Sequence, residues 1–365
     1  MLETDILIIG GGPAGSTVAK YLSIAHVDNV LVQRNFDFRK PCGGGVRMDS
    51  FDEFEIDKAL IKKRVNEITL VYKSKKIEID VTKTPLAIVD RVEFDTALRN
   101  AAREKGTKLY EAAFVSLERF DTHVISKIKL NGEYVEIKSN YVIAADGVNS
   151  KIRKLVNGDE VSSLLTHYTD LTSKSYDSCQ FHFGEEVAKR HYAWAFPHAN
   201  GSNVGTVADD EDCLAKLKIN LDVSEETKNF GYKIPKFENN VFYKERVFFV
   251  GDSASQVLPF TYEGIHYAMS SAKILSEIVI QKREPIEYEK EWNKKHQKRF
   301  SSLLKLQKVF LYNDFMIAVM MKLYESKYIQ RQMVSFWLGD RDLDVNLAFF
   351  LRMFKRVIKI KQEVK

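Results

Sequence analysis

The residues that could carry chemistry lie in a few short runs. Gly10-Gly11-Gly12-Pro13-Ala14-Gly15 follows directly on the apolar run at 6–9 and precedes a helix-like pattern at Val18, Ala19 and Leu22. Strand, tight glycine turn and helix form the context in which G-x-G-x-x-G reads as a cradle for a dinucleotide pyrophosphate. Gly10 permits the turn, Gly12 lets phosphate approach the backbone beside Ala14, and Gly15 lets the helix pack on the strand. The helix N-terminus then faces the phosphates with unpaired N–H groups. The acid expected at the end of the second strand, where it would hold the adenosine ribose, is replaced by Gln33, followed by Arg34. An amide can still hydrogen-bond both ribose hydroxyls. Two later runs repeat the strand-into-glycine pattern: Ala144-Ala145-Asp146-Gly147, and Val250-Gly251-Asp252-Ser253-Ala254. A carboxylate such as Asp252, at a strand end, can accept sugar hydroxyls or orient backbone donors toward phosphate.

The pattern predicts a discontinuous nucleotide-binding domain over 1–65, 88–157 and 241–282. Residues 66–87 alternate apolar and polar positions, as half-buried antiparallel strands do. With 158–240 they predict a β-rich substrate domain. A short strand at 88–90 leads to a helix at 92–106 that ends on glycine. Residues 283–365 read as helical, basic and aromatic. Tyr192, Trp194 and Phe196 alternate at strand spacing, so they share one face. That face is either the core side of a sheet or the wall of a channel. His182, His191 and His198 are irregularly spaced, and no metal site is assigned.

Composition narrows the class. The chain has 365 residues, 45% of them hydrophobic, three cysteines (Cys42, Cys179, Cys213) and a net charge of +5, with a mean hydropathy of −0.27. That is ample for a core and too weakly basic to point to nucleic acid. The thiols have neither paired nor metal-ligand spacing, which points to a reducing, cytoplasmic setting. The chain starts on its first strand, without a cationic, apolar leader.

The glycine fingerprint, the A-A-D-G run and the V-G-D-S-A run, in this order, resemble the FAD-binding flavoproteins of the p-hydroxybenzoate hydroxylase type. Lys40-Pro41-Cys42-Gly43-Gly44-Gly45, Tyr192-Ala193-Trp194-Ala195-Phe196-Pro197, and the Gly251-Asp252 segment with Pro259 and Glu263-Gly264-Ile265 narrow this to a resemblance to the geranylgeranyl reductase family. It runs from about residue 5 to residue 280. The resemblance implies an α/β fold: a Rossmann-like FAD-binding domain, an inserted antiparallel substrate domain and a C-terminal helical region. It implies FAD as cofactor, with Cys42, Gly43, Gly44, Arg91, Gly264 and Ile265 near the flavin. The reaction implied is saturation of isolated C=C bonds in an isoprenoid lipid, quinone tail or prenyl diphosphate, by hydride from flavin N5 and a proton. Cys42 is the first candidate for the acid and Tyr262 the second; Tyr262 is also a departure, a phenol where the family has glycine. Tyr192, Trp194 and Phe196 become candidate walls of a polyprenyl channel.

With a single dinucleotide fingerprint, an NAD(P)H donor would bind without its own Rossmann unit, and ferredoxin or reduced quinone could serve instead. Over 346–365 the apolar positions recur every three or four residues, with six Lys/Arg against one acid. Such a helix can lie on the anionic cytoplasmic face of a membrane or dock on its own protein. The apolar run 309–323, broken by Asn313 and Asp314, is too short to span a bilayer, which needs about 20 residues. Two other functions remain open: a flavin monooxygenase or halogenase acting on an aromatic substrate, and a non-catalytic prenyl-binding escort.

Overall fold

A computed structural model describes residues 1–198, 200–223 and 226–338, together with Phe349 and Arg352. The chain is an α/β protein whose first sheet is built around the strand Leu2–Ile9. That strand is solidly apolar at its inner end because both faces are covered, as parallel sheets require. It pairs in parallel with Asn29–Gln33 on one side and with the end of Glu133–Ala144 on the other. Lys108–Arg119 and Val247–Phe249 extend the parallel array at its two edges. The long strands Lys108–Arg119 and Glu133–Ala144 continue past it and sandwich Val124–Leu130 in an antiparallel meander.

The second sheet is mostly antiparallel and has seven strands. It joins Glu67–Tyr72 and Lys75–Asp80 to strands drawn from 163–235, the link being the parallel pairing of Glu67–Tyr72 with Cys179–Phe183. Gly45–Arg47, Ile61–Val65 and Leu86–Val89 form a third sheet of three strands. Helices Lys298–Phe310, Asp314–Tyr324 and Lys327–Trp337 follow. Asn313, which breaks the apolar run in sequence, is the cap of the second of these: its side chain accepts the Met316 N–H at 3.0 Å. The basic amphipathic run at 346–365 lies almost wholly outside the described residues. Among the described residues no helix is long and apolar enough to cross a membrane.

One buried cation locks two glycine turns together. Arg153 is fully buried. It donates to both oxygens of Asp159 at 3.0 and 2.8 Å, to the Ser253 and Asn239 carbonyls and to Ser255 Oγ. The helix Lys151–Asn157 after Asp146 is thereby tied to the turn after Val250. Removing one member of such a network strands the others, at a cost on the order of 3–5 kcal/mol. Arg153→Ala is expected to lose stability in that range in urea unfolding monitored by circular dichroism.

Candidate functional site

A single cavity of about 490 Å³ runs between the two large sheets and is lined by most of the residues singled out in the sequence. At one end stands the glycine turn. Gly10 takes φ +107°, and a methyl there would meet the Ala145 carbonyl oxygen at 2.2 Å; a methyl on Gly15 would sit 1.9 Å from the Gly10 carbonyl oxygen. Strand, turn and helix are therefore in backbone contact that only glycine allows. Gly12 differs, since open space lies beside it. It caps the helix Pro13–Ile24 with no side-chain hydrogen bond, so the first N–H groups of that helix open toward the cavity.

Gln33 also lines the cavity, but both ends of its amide work on the backbone. Its Oε1 accepts the Gly11 N–H at 2.7 Å, and its Nε2 donates to the Asn35 carbonyl at 2.9 Å. One N–H and one lone pair remain for a ribose. Arg99 braces the same turn, donating to the carbonyls of Gly11 at 3.1 Å and Phe36 at 2.7 Å. Burial lowers its affinity for a proton below that of an ordinary arginine.

Farther in, opposite charges meet in pairs. Lys40 forms an ion pair with Asp252; burial opposes its charge, but Asp252 more than offsets this and holds the ammonium above its usual range. Arg91 is buried in the first turn of the helix Arg91–Glu104. It holds Asp95 with two bonds of 3.2 and 2.8 Å. Its guanidinium also faces Cys42, whose Sγ accepts the Gly44 N–H at 3.4 Å. Asp146 accepts from Ser150 Oγ at 2.5 Å and from the Ile152 N–H at 3.1 Å. Burial raises its pKa even so.

Aromatic rings form the far wall. Phe181 meets Tyr192 and Phe196 edge-on at 5.0 and 5.1 Å, and Trp194 donates to Asn203 Oδ1 at 2.7 Å. The alternate residues Ala193 and Ala195 turn away and pack with Leu214 and Leu217, which is why the strand alternates large and small side chains. The K-P-C-G-G-G loop meets this wall: a methyl on Gly43 would strike Phe196 at 2.5 Å. Trp337 and Leu338 cover the cavity from the C-terminal side.

Most of the sequence-derived candidates share this cavity: Gly10, Gly12, Ala14, Gln33, Arg34, Cys42, Gly43, Arg91, Asp146, Asp252, Tyr262, Gly264, Ile265 and the three aromatics. Gly15, Gly44 and Gly251 do not line it. They are packing positions, set against Gly10, Val89 and Ala14 respectively. Lys40, Arg99 and Glu263 line the cavity without having been singled out as site residues. Among the described residues no group of His, Cys, Asp and Glu could hold a metal ion.

Tyr262 is a positioned residue. It takes a positive φ of +53° although it is not glycine. Gln307 Nε2 donates to its hydroxyl at 2.9 Å, and the hydroxyl is hydrogen-bonded to His191 Nδ1 at 2.7 Å. Burial, with Lys236 adding to it, pushes the His191 pKa down to about 4, so the ring is neutral.

A family profile for the FAD binding domain matches residues 3–233. Geranylgeranyl diphosphate reductase of Synechocystis is 28% identical over 85% of this chain and 86% of its own length. Digeranylgeranylglycerophospholipid reductase of Methanocaldococcus jannaschii is 28% identical over 84% and 86%. The crystal structure of a geranylgeranyl bacteriochlorophyll reductase-like protein from Thermoplasma acidophilum superposes with a TM-score of 0.78 at 20% identity, covering 100% of both chains; that likeness is one of fold. The chain belongs to the FAD binding domain family, as its resemblance to the geranylgeranyl reductases implied, and is an FAD-dependent oxidoreductase. The open Gly12 and the uncapped helix beside it suit the cofactor's pyrophosphate.

Replacing Tyr262 by phenylalanine leaves His191 Nδ1 and Gln307 Nε2 without their shared partner. The cost of buried unpaired polar groups is about 1–3 kcal/mol. Tyr262→Phe is expected to lose stability of that order in urea unfolding of the FAD-loaded protein.

Proposed function

We propose that this oxidoreductase saturates isolated carbon–carbon double bonds of an isoprenoid chain carried on a lipid, quinone or diphosphate head. The observation that carries the reading is the lining of this cavity: a polar, glycine-lined end runs into an aromatic end lined by Phe181, Tyr192, Trp194, Phe196 and Trp337. Both named relatives reported above carry geranylgeranyl in their names, one on a diphosphate and one on a glycerophospholipid. The chain is the chemistry they share, which favours a substrate recognised by its tail.

When bound, FAD in its reduced form supplies a hydride, chemistry that amino-acid side chains lack. The protein's own contribution is binding and orientation. Gly10, Gly12 and Ala14 would hold the pyrophosphate, Gln33 and Arg34 the adenosine side, and Cys42, Gly43, Arg91, Asp252, Gly264 and Ile265 the ring. An unactivated alkene offers no carbonyl on which charge could rest, so alignment and a positioned acid must lower the barrier. Rigid rings suit this task, because an aromatic wall holds a flexible chain at little cost in its own entropy while excluding water. The basic, amphipathic pattern at 346–365 supports peripheral attachment to the cytoplasmic face of a membrane, where such tails reside.

The test is anaerobic turnover. The FAD-loaded protein, reduced chemically and mixed with a prenylated lipid extract, is expected to yield products heavier by whole pairs of hydrogen atoms in mass spectrometry. The gain should vanish when FAD is stripped. Reoxidation that requires oxygen and gives oxygenated products would replace the reading with a monooxygenase or halogenase. Purified protein that binds lipid but never flavin would replace it with an escort.

A further inference from the structure

Resting on that reductase reading, we propose that Asn203 is a positioning residue: it holds the Trp194 indole across one wall of the cavity, and the indole fixes the register in which a prenyl chain lies there.

That wall is built on directly opposed residues. Tyr168, Gly205, Trp194, Phe181 and Leu70 stand opposite one another across five adjacent strands of the second sheet. Opposed residues share a face, and all of this row except Gly205 line the cavity. The reason for the exception is local. A methyl on Gly205 would meet Trp194 Cζ2 at 2.3 Å and Tyr168 Cβ at 2.7 Å. The indole therefore leans off its own strand and occupies the place that a Gly205 side chain would take.

A second, separate feature holds the ring in the same place. Asn203 is two residues before Gly205 on the strand Gly201–Thr206, and so on the same face. Its Oδ1 accepts the Trp194 Nε1–H at 2.7 Å, and its Nδ2 donates to Asp170 Oδ1, directly opposite, at 2.8 Å. An indole nitrogen only donates, so Asn203 must turn its oxygen to the ring and its amino group to Asp170. Asn203 is buried, where a hydrogen bond is electrostatically stronger than in water. A missing side chain beneath the ring and an acceptor beside it thus specify one position for Trp194.

The ring so placed divides the wall. To one side lie Tyr168, Thr166 and Tyr232, each with a hydroxyl; to the other lie Phe181, Phe183 and Leu70, all apolar. Burial against the apolar side is what stabilises a hydrocarbon chain, and the indole bounds that side toward the hydroxyls. The double bonds of a prenyl chain are chemically alike. Which of them is reduced is then decided by where the chain is held rather than by its reactivity, and a displacement of about 1 Å is enough to matter.

The experiment begins with Asn203→Leu, which keeps the volume and removes the acceptor. The FAD-loaded proteins carry fluorotryptophan, and the fluorine resonance of Trp194 is the one missing from Trp194→Phe. It is expected to move in Asn203→Leu while FAD binding stays stoichiometric. In anaerobic turnover of a geranylgeranyl lipid, KM should rise about tenfold, the scale of one lost hydrogen bond. The first hydrogen pair, located by tandem mass spectrometry at low conversion, should spread over more than one double bond. A mere loss of folded enzyme would lower the rate and leave the position of that pair unchanged.

Gly205→Ala displaces the ring from beneath and should give the same movement and the same spread. Asn203→Asp combined with Asp170→Asn again supplies an acceptor for the indole and a donor for that acceptor, and should return both readouts to those of the natural chain. A Trp194 resonance that stays in place in Asn203→Leu, or one that moves with KM and product unchanged, overturns the assignment and leaves the reductase reading intact. A natural chain that reduces no prenyl lipid overturns the reductase reading and the role in register with it, whereas the fluorine shift decides by itself whether Asn203 holds the ring.

Discussion

Everything in the site depends on one close approach of bare backbone. The Gly10 carbonyl lies where any side chain on Gly15 would have to go, and the Ala145 N–H donates to the Ile9 carbonyl at 2.8 Å. On the far side of the helix Pro13–Ile24, Gly251 approaches Ala14 so closely that a methyl would stand 3.1 Å from its Cβ. Three segments far apart in the chain thus meet around one helix start, with almost no side chain between them. The density typical of protein interiors is reached here by removing groups rather than interlocking them. The result is a rigid helix terminus whose N–H groups are left to serve an anion.

This constraint explains which parts of the site were legible in the sequence. A close backbone approach forces glycine, and glycine within a hydrophobic pattern is conspicuous; hence the cradle, the Asp146 and Asp252 turns and the alternating aromatic strand could be located. The role of each glycine was less visible. Gly15, Gly44 and Gly251 turn out to serve packing, while Gly43 is small because Phe196 needs the space. Long-range polar pairs left no local trace. Lys40 and Asp252 are 212 positions apart, and Arg99 reaches Gly11 across 88. Arg153 reads as an ordinary basic residue of a short helix, although its side chain is among the largest that are fully buried.

Gln33 and Tyr262 show how a departure from a family pattern is absorbed. At Gln33 an amide replaces an acid, and its oxygen is spent on the Gly11 N–H. The loop geometry is retained by a neutral bond in place of a charged one. At Tyr262 a residue with a side chain occupies a left-handed conformation, which costs roughly 1–3 kcal/mol. The hydrogen bonds to His191 and Gln307, together with ring contacts to Tyr192 and His191 at 6.0 Å, offset it. They also connect the loop to the helix Lys298–Phe310, so the phenol joins the C-terminal helices to the cavity wall.

The same burial has different consequences along that wall. Where a cation is held beside a carboxyl, as at Lys40–Asp252 and Arg91–Asp95, the pair forms a fixed dipole that can orient a cofactor. Where the carboxyl oxygen lacks a hydrogen-bond donor, as at Glu263 Oε1, desolvation dominates and the neutral form persists toward pH 7.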